Sequence, residues 1–330
     1  MSGQLVLSDG TGKVISKRKD HQKYAVKVTC LEEEGEWVSI ATAGWDGKVN
    51  FYRSRFQGWQ NGPAATASAS GEEQYLPKLD EPLATLTMQS NPEAITLLHH
   101  PKTGRTLLLA SRRDSTFIYT YALNRPSSDS EPSGGEQSQQ NYRFELIHKQ
   151  NLAPHSNAWI AFTPASFAIS PVDPTLLAVA TSTVPRMKVI IVRLLLDSKD
   201  AQTRLSEATL PPTPASLAHA ERAIQEEEEA AIITHASAMA PQTAYSTPHV
   251  CWRPDGSGVW VNGDDGAVRG IEARTGKIMK ILKEGHNAGS KVRSIFAGWV
   301  DVAGGGRNEE VLVSGGFDRR LVVWRVQELS

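Results

Sequence analysis

Short apolar runs rich in β-branched residues alternate along this chain with turns that carry Gly, Asp, Asn or Pro, the pattern of strand and hairpin rather than of helix. The pattern predicts strands over 24–30, 37–43 and 49–52, then 94–99, 106–111, 116–123 and 142–149. It continues with 165–170, 176–181, 188–195 and 231–235, then 247–253, 259–262, 267–272 and 278–282. The last group covers 291–296, 311–314 and 321–324. Two further runs, 4–8 and 14–19, precede the first group. Three stretches break the rhythm. Residues 57–80 and 124–141 are rich in Ser, Gly, Gln, Pro and Ala and read as mobile loops. Residues 197–230 hold an Ala- and Glu-rich run that predicts a helix, with Ser216 as its cap and Glu226 to Glu229 as a solvated acidic end.

The strand groups repeat one another. Thr11-Gly12-Lys13 and the following strand to His21 parallel Thr275-Gly276-Lys277 and the strand to His286. Downstream of each histidine the spacing matches again: Thr42, Asp46 and Tyr52 in the first unit, Ser314, Asp318 and Trp324 in the last. A turn Asp is placed to bond the preceding His, while a Ser or Thr on the central strand and an indole or phenol on the next extend the chain of bonds. Buried polar groups need such partners. His21, Thr42, Asp46 and Tyr52, and likewise His286, Ser314, Asp318 and Trp324, therefore read as two structural networks. A His/Ser/Asp set also suggests a hydrolase triad, but its occurrence twice at equivalent repeat positions argues for a structural role.

Gly-His, a Ser/Thr-bearing central strand, a turn Asp and a terminal Trp together resemble the WD-repeat β-propeller family. The resemblance implies an all-β fold of four-stranded blades around a channel. Residues 1–330 would then form one β-propeller domain with five recognisable blades, leaving room for a sixth or seventh that is degenerate or missing. The middle units match loosely: Asp114 is followed by Thr120 where the aromatic belongs, the turn 183–186 has no Asp, and Ile271 stands where Trp would. The last unit ends without a fourth strand, and Val14 to Lys19 is a fourth strand without a blade, so the N-terminal strand is expected to close the ring. Gln4 to Ser8 is then a surplus third strand.

Composition narrows the setting more than the chemistry. With 40% hydrophobic and 22% charged residues and a formal net charge of −1, nothing global favours nucleic acid or membrane. Two cysteines, Cys30 and Cys251, both in apolar runs, are expected to be buried thiols of a reducing compartment, cytoplasmic or nuclear. No nucleophile elbow, phosphate loop or H-E-x-x-H is present, so no catalytic residue, metal or cofactor is expected. His99 and His100 are adjacent and would point to opposite faces of a strand, and Asp264-Asp265 reads as a turn pair.

What remains is the set of turns between second and third strands, which in the resembled family lies on a face that docks peptides and partner domains. Trp45, Arg113, Asp264 and Phe317 each stand just before the turn Asp or its equivalent, and Lys48, Arg112, Arg186, Arg319 and Arg320 belong to the same turns. Aromatics and arginines are enriched at interface hot spots, and this mixture suits an acidic or phosphorylated protein segment. The expectation is a non-catalytic scaffold or adaptor. Two alternatives are a ubiquitin-ligase substrate receptor, for which Tyr52-Arg53-Ser54-Arg55 lacks the expected Trp and Asp, and a phosphate- or nucleic-acid-binding propeller.

Overall fold

The computed structural model describes residues 3–9, 11–56, 78–124, 142–155, 162–207, 213–301 and 308–326. The predicted loops thus lie mostly outside the described residues. The chain starts with a hairpin, β1 (Leu5–Ser8) and β2 (Val14–Arg18). Four-stranded antiparallel sheets follow. The first holds β3 (Ala25–Glu32), β4 (Trp37–Gly44), β5 (Lys48–Arg55) and β6 (Ala84–Thr87). The second holds β7 (Pro92–His99), β8 (Thr106–Arg112), β9 (Phe117–Asn124) and β10 (Arg143–Asn151).

The third sheet holds β11 (Pro164–Ile169), β12 (Leu176–Thr181) and β13 (Arg186–Arg193); after helices α1 (Ala201–Glu207) and α2 (Pro214–Ala231) it is completed by β14 (Ile232–Pro241). The fourth holds β15 (Val250–Trp252), β16 (Gly258–Asn262), β17 (Val268–Glu272) and β18 (Ile278–Leu282). The fifth has three strands, β19 (Val292–Asp301), β20 (Asn308–Gly316) and β21 (Leu321–Val326).

Each sheet is a meander in which neighbours in sequence are neighbours in space, as short turns require. The second strands are buried on both faces: Ser39 to Gly44, Leu107 to Ser111, Leu177 to Thr181 and all of β16. Their side chains are accordingly mostly apolar or small, Leu107, Leu108 and Leu109 in β8 and Ala178, Val179 and Ala180 in β12 among them. Two compact units result, one of residues 1–113 and 120–147, the other of 114–119 and 148–330. In the first, Ala41, Ala43 and Phe51 pack against Ile95, Leu97 and Leu108. In the second, Val189, Ile191 and Ala238 meet Trp252, Val259 and Ile271, while Trp260 and Val268 meet Ile295 and Leu312.

Four expectations change. Val14–Arg18 does not complete the fifth sheet; it pairs with Leu5–Ser8. The Asp9 carboxylate fixes that hairpin by accepting the N–H groups of Thr11 and Lys13, both at 2.9 Å, and Leu5 and Leu7 pack on the buried Ile40, Tyr52 and Leu79. Ser216 is not the helix cap. Thr213 is, accepting the Ser216 N–H at 3.1 Å, while the Ser216 hydroxyl accepts the Thr213 N–H at 2.9 Å and Pro214 starts the helix.

The acidic run is solvated only in part, at Glu226 and Glu229, which are exposed. Glu227 pairs with Arg204, Glu228 accepts the Asn151 N–H at 2.6 Å, and Glu229 meets His155 Nε2 at 2.7 Å. Glu228 is only 5% exposed, and burial pushes its carboxyl up to about 6. Of the two thiols, Cys251 is half-buried and burial raises it to about 12, but Cys30 is exposed. Strand alternation sends Leu31 into the core, which turns Cys30 outward.

Candidate functional site

The turn between second and third strands is built the same way in the first and fifth sheets. His21, just before β3, places Nδ1 3.0 Å from Asp46 Oδ1 and Nε2 2.8 Å from Thr42 Oγ1. His286, before β19, places Nδ1 3.1 Å from Asp318 Oδ1 and Nε2 2.8 Å from Ser314 Oγ. A carboxylate only accepts, so Nδ1–H donates to it and Nε2 is left to accept the hydroxyl proton. Each Asp also takes the N–H following its histidine, from Gln22 and Asn287, both at 2.9 Å. Burial by itself would push the Asp318 carboxyl up; the Asn287 N–H, His286 and the Arg320 N–H outweigh it and hold the group down at about 2. Asp46 is lowered in the same way, the Gln22 N–H and His21 overcoming its burial.

The aromatic ends differ. Trp324 Nε1–H donates to Ser314 Oγ at 2.8 Å, whereas the Tyr52 hydroxyl donates to Asp20 at 3.1 Å, and burial pushes that phenol up to about 12. The glycine two residues before each Asp is dictated by the same contacts. A Cβ on Gly316 would sit 2.6 Å from Asp318 Oδ1 and 2.7 Å from His286 Nδ1, and one on Gly44 would collide with His21 and Asp46.

The fourth sheet keeps Gly and Asp without a histidine. There Arg269, 6% exposed and four residues after Asp265, reaches back and bonds both its carboxylate oxygens, at 3.1 and 2.6 Å. Sequence reading missed this substitution, because the partner follows the Asp instead of preceding it. Asp114, in the second sheet, is exposed and has a φ of +60°.

The two histidine networks share the connectivity of a nucleophile, base and acid, yet neither can work as one. Thr42 and Ser314 are 0% exposed, so no substrate carbonyl reaches either hydroxyl. Ser314 Oγ is further occupied by the Trp324 indole. Among the described residues no group of three or more His, Cys, Asp or Glu is placed to hold a metal. His100 is buried and accepts the Lys102 and Thr103 N–H groups, while His99 Nε2 lies 3.3 Å from the Glu32 carbonyl oxygen.

The outer surface of these turns is more open. In the first unit Trp45 is 40% exposed, and its ring meets Tyr24 edge-on at 5.5 Å. The turn bearing Lys48 is tied to the next connection by the Met88 N–H to Gly47 carbonyl bond; Gln89 stands in that connection and Glu93 at the start of β7. Those side chains take Arg112 and Arg113, each at 2.7 Å.

In the second unit Arg186 is exposed beside Met239, with Nη1 3.2 Å from the sulfur. Asp264 is not open to a partner: its side chain is 10% exposed and bonds Ser246 at 2.5 Å and Lys291 at 2.8 Å, tying two loops together. The Lys291 carbonyl in turn accepts the Phe317 N–H. Phe317 is 59% exposed beneath the Arg293 guanidinium, which lies 4.0 Å from the ring centre, and Arg319 and Arg320 are exposed next to it. Arg293 joins this surface without having been marked in the sequence; Tyr245, 86% exposed, stands in the loop that Lys291 holds through Thr243. Arg293 was hidden because it sits on a strand, one residue from the buried Val292.

Residues 156–325 match the model of the family described as "UCP007778, beta-propeller domain". The chain belongs to this β-propeller family. The observed blades agree with it: five sheets, each an up-and-down meander packed face to face on another within its unit. Among solved structures the fold is similar to the Saccharomyces cerevisiae protein Sqt1, at 12% identity and a TM-score of 0.50. It is also similar to the Dos1 propeller, at 13% identity and a TM-score of 0.49. The alignments cover 98% of this chain in both cases, but only 65% of the Sqt1 chain and 64% of the Dos1 chain. Among curated proteins none matches. No helix of the described residues of this propeller is long and apolar enough to cross a membrane.

Proposed function

We propose that this propeller is a non-catalytic scaffold or adaptor that binds segments of other proteins on its turns between second and third strands. The observation that carries the reading is the pair Trp45 and Phe317. Both occupy the residue before the networked Asp, both are well exposed, and the second lies among Arg293, Arg319 and Arg320. Holding the Asp below them in a buried network fixes each turn, so an exposed aromatic is offered with little conformational entropy left to lose. The cations suit an acidic or phosphorylated segment, since guanidinium groups bind carboxylate and phosphate in pairs of hydrogen bonds. The paired His–Asp–Ser/Thr networks support a WD-repeat type of propeller. Two free cysteines, one of them exposed, support a reducing setting in the cytoplasm or nucleus.

The test is affinity capture with mass spectrometry, comparing the wild type with Trp45→Ala/Arg320→Glu. The double variant melts like the wild type and loses the partner proteins that the wild type retains. Undiminished capture by a folded double variant would sink the assignment.

A further inference from the structure

Serine or threonine stands before proline four times in the chain, at Thr163-Pro164, Ser170-Pro171, Thr213-Pro214 and Thr247-Pro248. Their surroundings separate them. Ser170 is buried, and its hydroxyl accepts the N–H groups of Val172 and Asp173. Thr163 is half-buried and bonded to Ser182 twice, accepting the Ser182 N–H at 2.9 Å and donating its own N–H to the Ser182 hydroxyl at 3.1 Å. Thr247 is exposed, but its carbonyl accepts from Asn262 Nδ2 at 2.9 Å, and Pro248 after it is buried. At Thr213 alone of the four, the hydroxyl-bearing residue and its proline are both exposed. Thr213 has a φ of −93° and a ψ of 156°, the extended backbone that a following proline favours. Its ties are confined to one turn: the Leu217 N–H donates to its carbonyl at 3.0 Å, and it exchanges cap bonds with Ser216. Unwinding that turn uncovers no core, since residues 214–219 are exposed except for half-buried Ser216, and the first buried residue of α2 is Ala220.

We propose that Thr213 is a phosphorylation site for proline-directed protein kinases, and that its phosphate clamps the start of α2. A kinase takes its acceptor residue in an extended segment. One whose pocket offers the next N–H no partner selects proline, the residue with no N–H to strand. In the transfer the Thr213 hydroxyl oxygen attacks the γ-phosphorus of ATP, and the bond from that phosphorus to the bridging oxygen breaks. ADP leaves, and the hydroxyl proton passes to the catalytic aspartate of the kinase. The consequence for the helix follows from its first turn, which holds no acidic residue; the partial positive charge there is met by the hydroxyl oxygens of Thr213 and Ser216. A phosphate brings about two negative charges and three acceptor oxygens to the same place. The Ser216 N–H, now donating to the Thr213 hydroxyl at 3.1 Å, gains a charged acceptor and a stronger bond. Thr213 shares no residue with the turn surface described above, so the two proposals fail separately.

The experiment uses the full folded chain, ATP and two purified proline-directed enzymes, a mitogen-activated protein kinase and a cyclin-dependent kinase. Peptide mass spectrometry locates the phosphate. At least one of the two kinases labels Thr213 ahead of Thr163, Ser170 and Thr247. Thr213→Val removes that label, and Thr247→Val leaves it unchanged. Pro214→Ala keeps the acceptor hydroxyl and a good helix former after it, yet lowers the rate of labelling at Thr213 by at least about tenfold, because the new N–H is stranded in the kinase pocket. Hydrogen exchange of the labelled chain then reads the amides of residues 215–220, which slow by roughly two- to tenfold relative to the unlabelled chain. Labelling of Thr213 by neither kinase, equal labelling of wild type and Pro214→Ala, or more phosphate on Thr247 than on Thr213 would overturn the site. Unchanged or faster exchange at the start of α2 after labelling would overturn the clamp.

Discussion

Glu228→Gln isolates the energetic consequence of burying one carboxyl of the acidic run. The folded-state value of Glu228 is about 6 against an ordinary 4.5, with burial as the main cause and the charge of Glu227 adding to it. A raised carboxyl value means that the folded chain holds a proton the unfolded chain has released. Its share of stability is therefore complete below pH 4.5 and is lost as pH rises through 6. The difference of about 1.5 units corresponds to about 2 kcal/mol. Glutamine has nearly the same shape and keeps an oxygen for the Asn151 N–H, but it does not titrate. The stability of Glu228→Gln relative to wild type is thus expected to rise by about 2 kcal/mol between pH 4.5 and neutrality, or about 3 °C in Tm for a chain of this length. Urea and thermal unfolding at a series of pH values measures this, and titrating groups that do not interact with Glu228 cancel in the difference. Parallel pH curves for the two proteins would refute the reasoning. Glu228→Ala does not titrate either and shows the same relative rise with pH, but from a lower level, because it strands the Asn151 N–H at a cost of about 1–3 kcal/mol.

Ser314→Ala removes the hydroxyl shared by His286 Nε2 and Trp324 Nε1 and leaves both buried groups unpaired. A loss of about 2–4 kcal/mol in urea unfolding is expected, and a loss below about 0.5 kcal/mol would contradict the network. Gly316→Ala drives a Cβ into the His286–Asp318 pair and is expected to destabilise by about 1–3 kcal/mol, measured by the same unfolding. Asp318, held at about 2, contributes stability above the ordinary carboxylate value that is lost as pH falls from about 4 towards 2. Asp318→Asn should flatten that part of an acid-unfolding curve, and an unchanged acid limb would count against it.

Strands and turns were legible in the sequence because the central strands are compact apolar runs, bounded by Gly and Asp in every sheet but the third. The His21 and His286 units stood out because their partners lie at fixed offsets on well-formed hairpins. β6 escaped notice because it is four residues long and follows the stretch 57–77, so no hairpin spacing pointed to it. Arg269 escaped because charge on a strand ordinarily reads as solvent-facing, yet here the carboxylate of Asp265 offsets its burial. The four glutamates gave no sign of which would be buried, since a run of identical residues has no pattern and only the packing of α2 distinguishes them. At the candidate site Trp45 and Phe317 were readable from repeat position. The engagement of Asp264 by Lys291 was not, because the lysine comes from the loop before the next sheet.

Successive residues of an α-helix leave its axis about 100° apart. Glu227, Glu228 and Glu229 therefore point in three directions, towards Arg204 on α1, the end of β10 and His155. A rotation of α2, or a slip of one residue along its axis, breaks all three contacts together. The helix connects β13 to β14, and a one-residue slip between those strands would turn every side chain of β14 to the wrong face. The three glutamates thus act as a key that admits one alignment of the third sheet. Because Glu228 costs energy when ionised, its contribution near neutral pH is to the fidelity of assembly and not to the depth of the folded state.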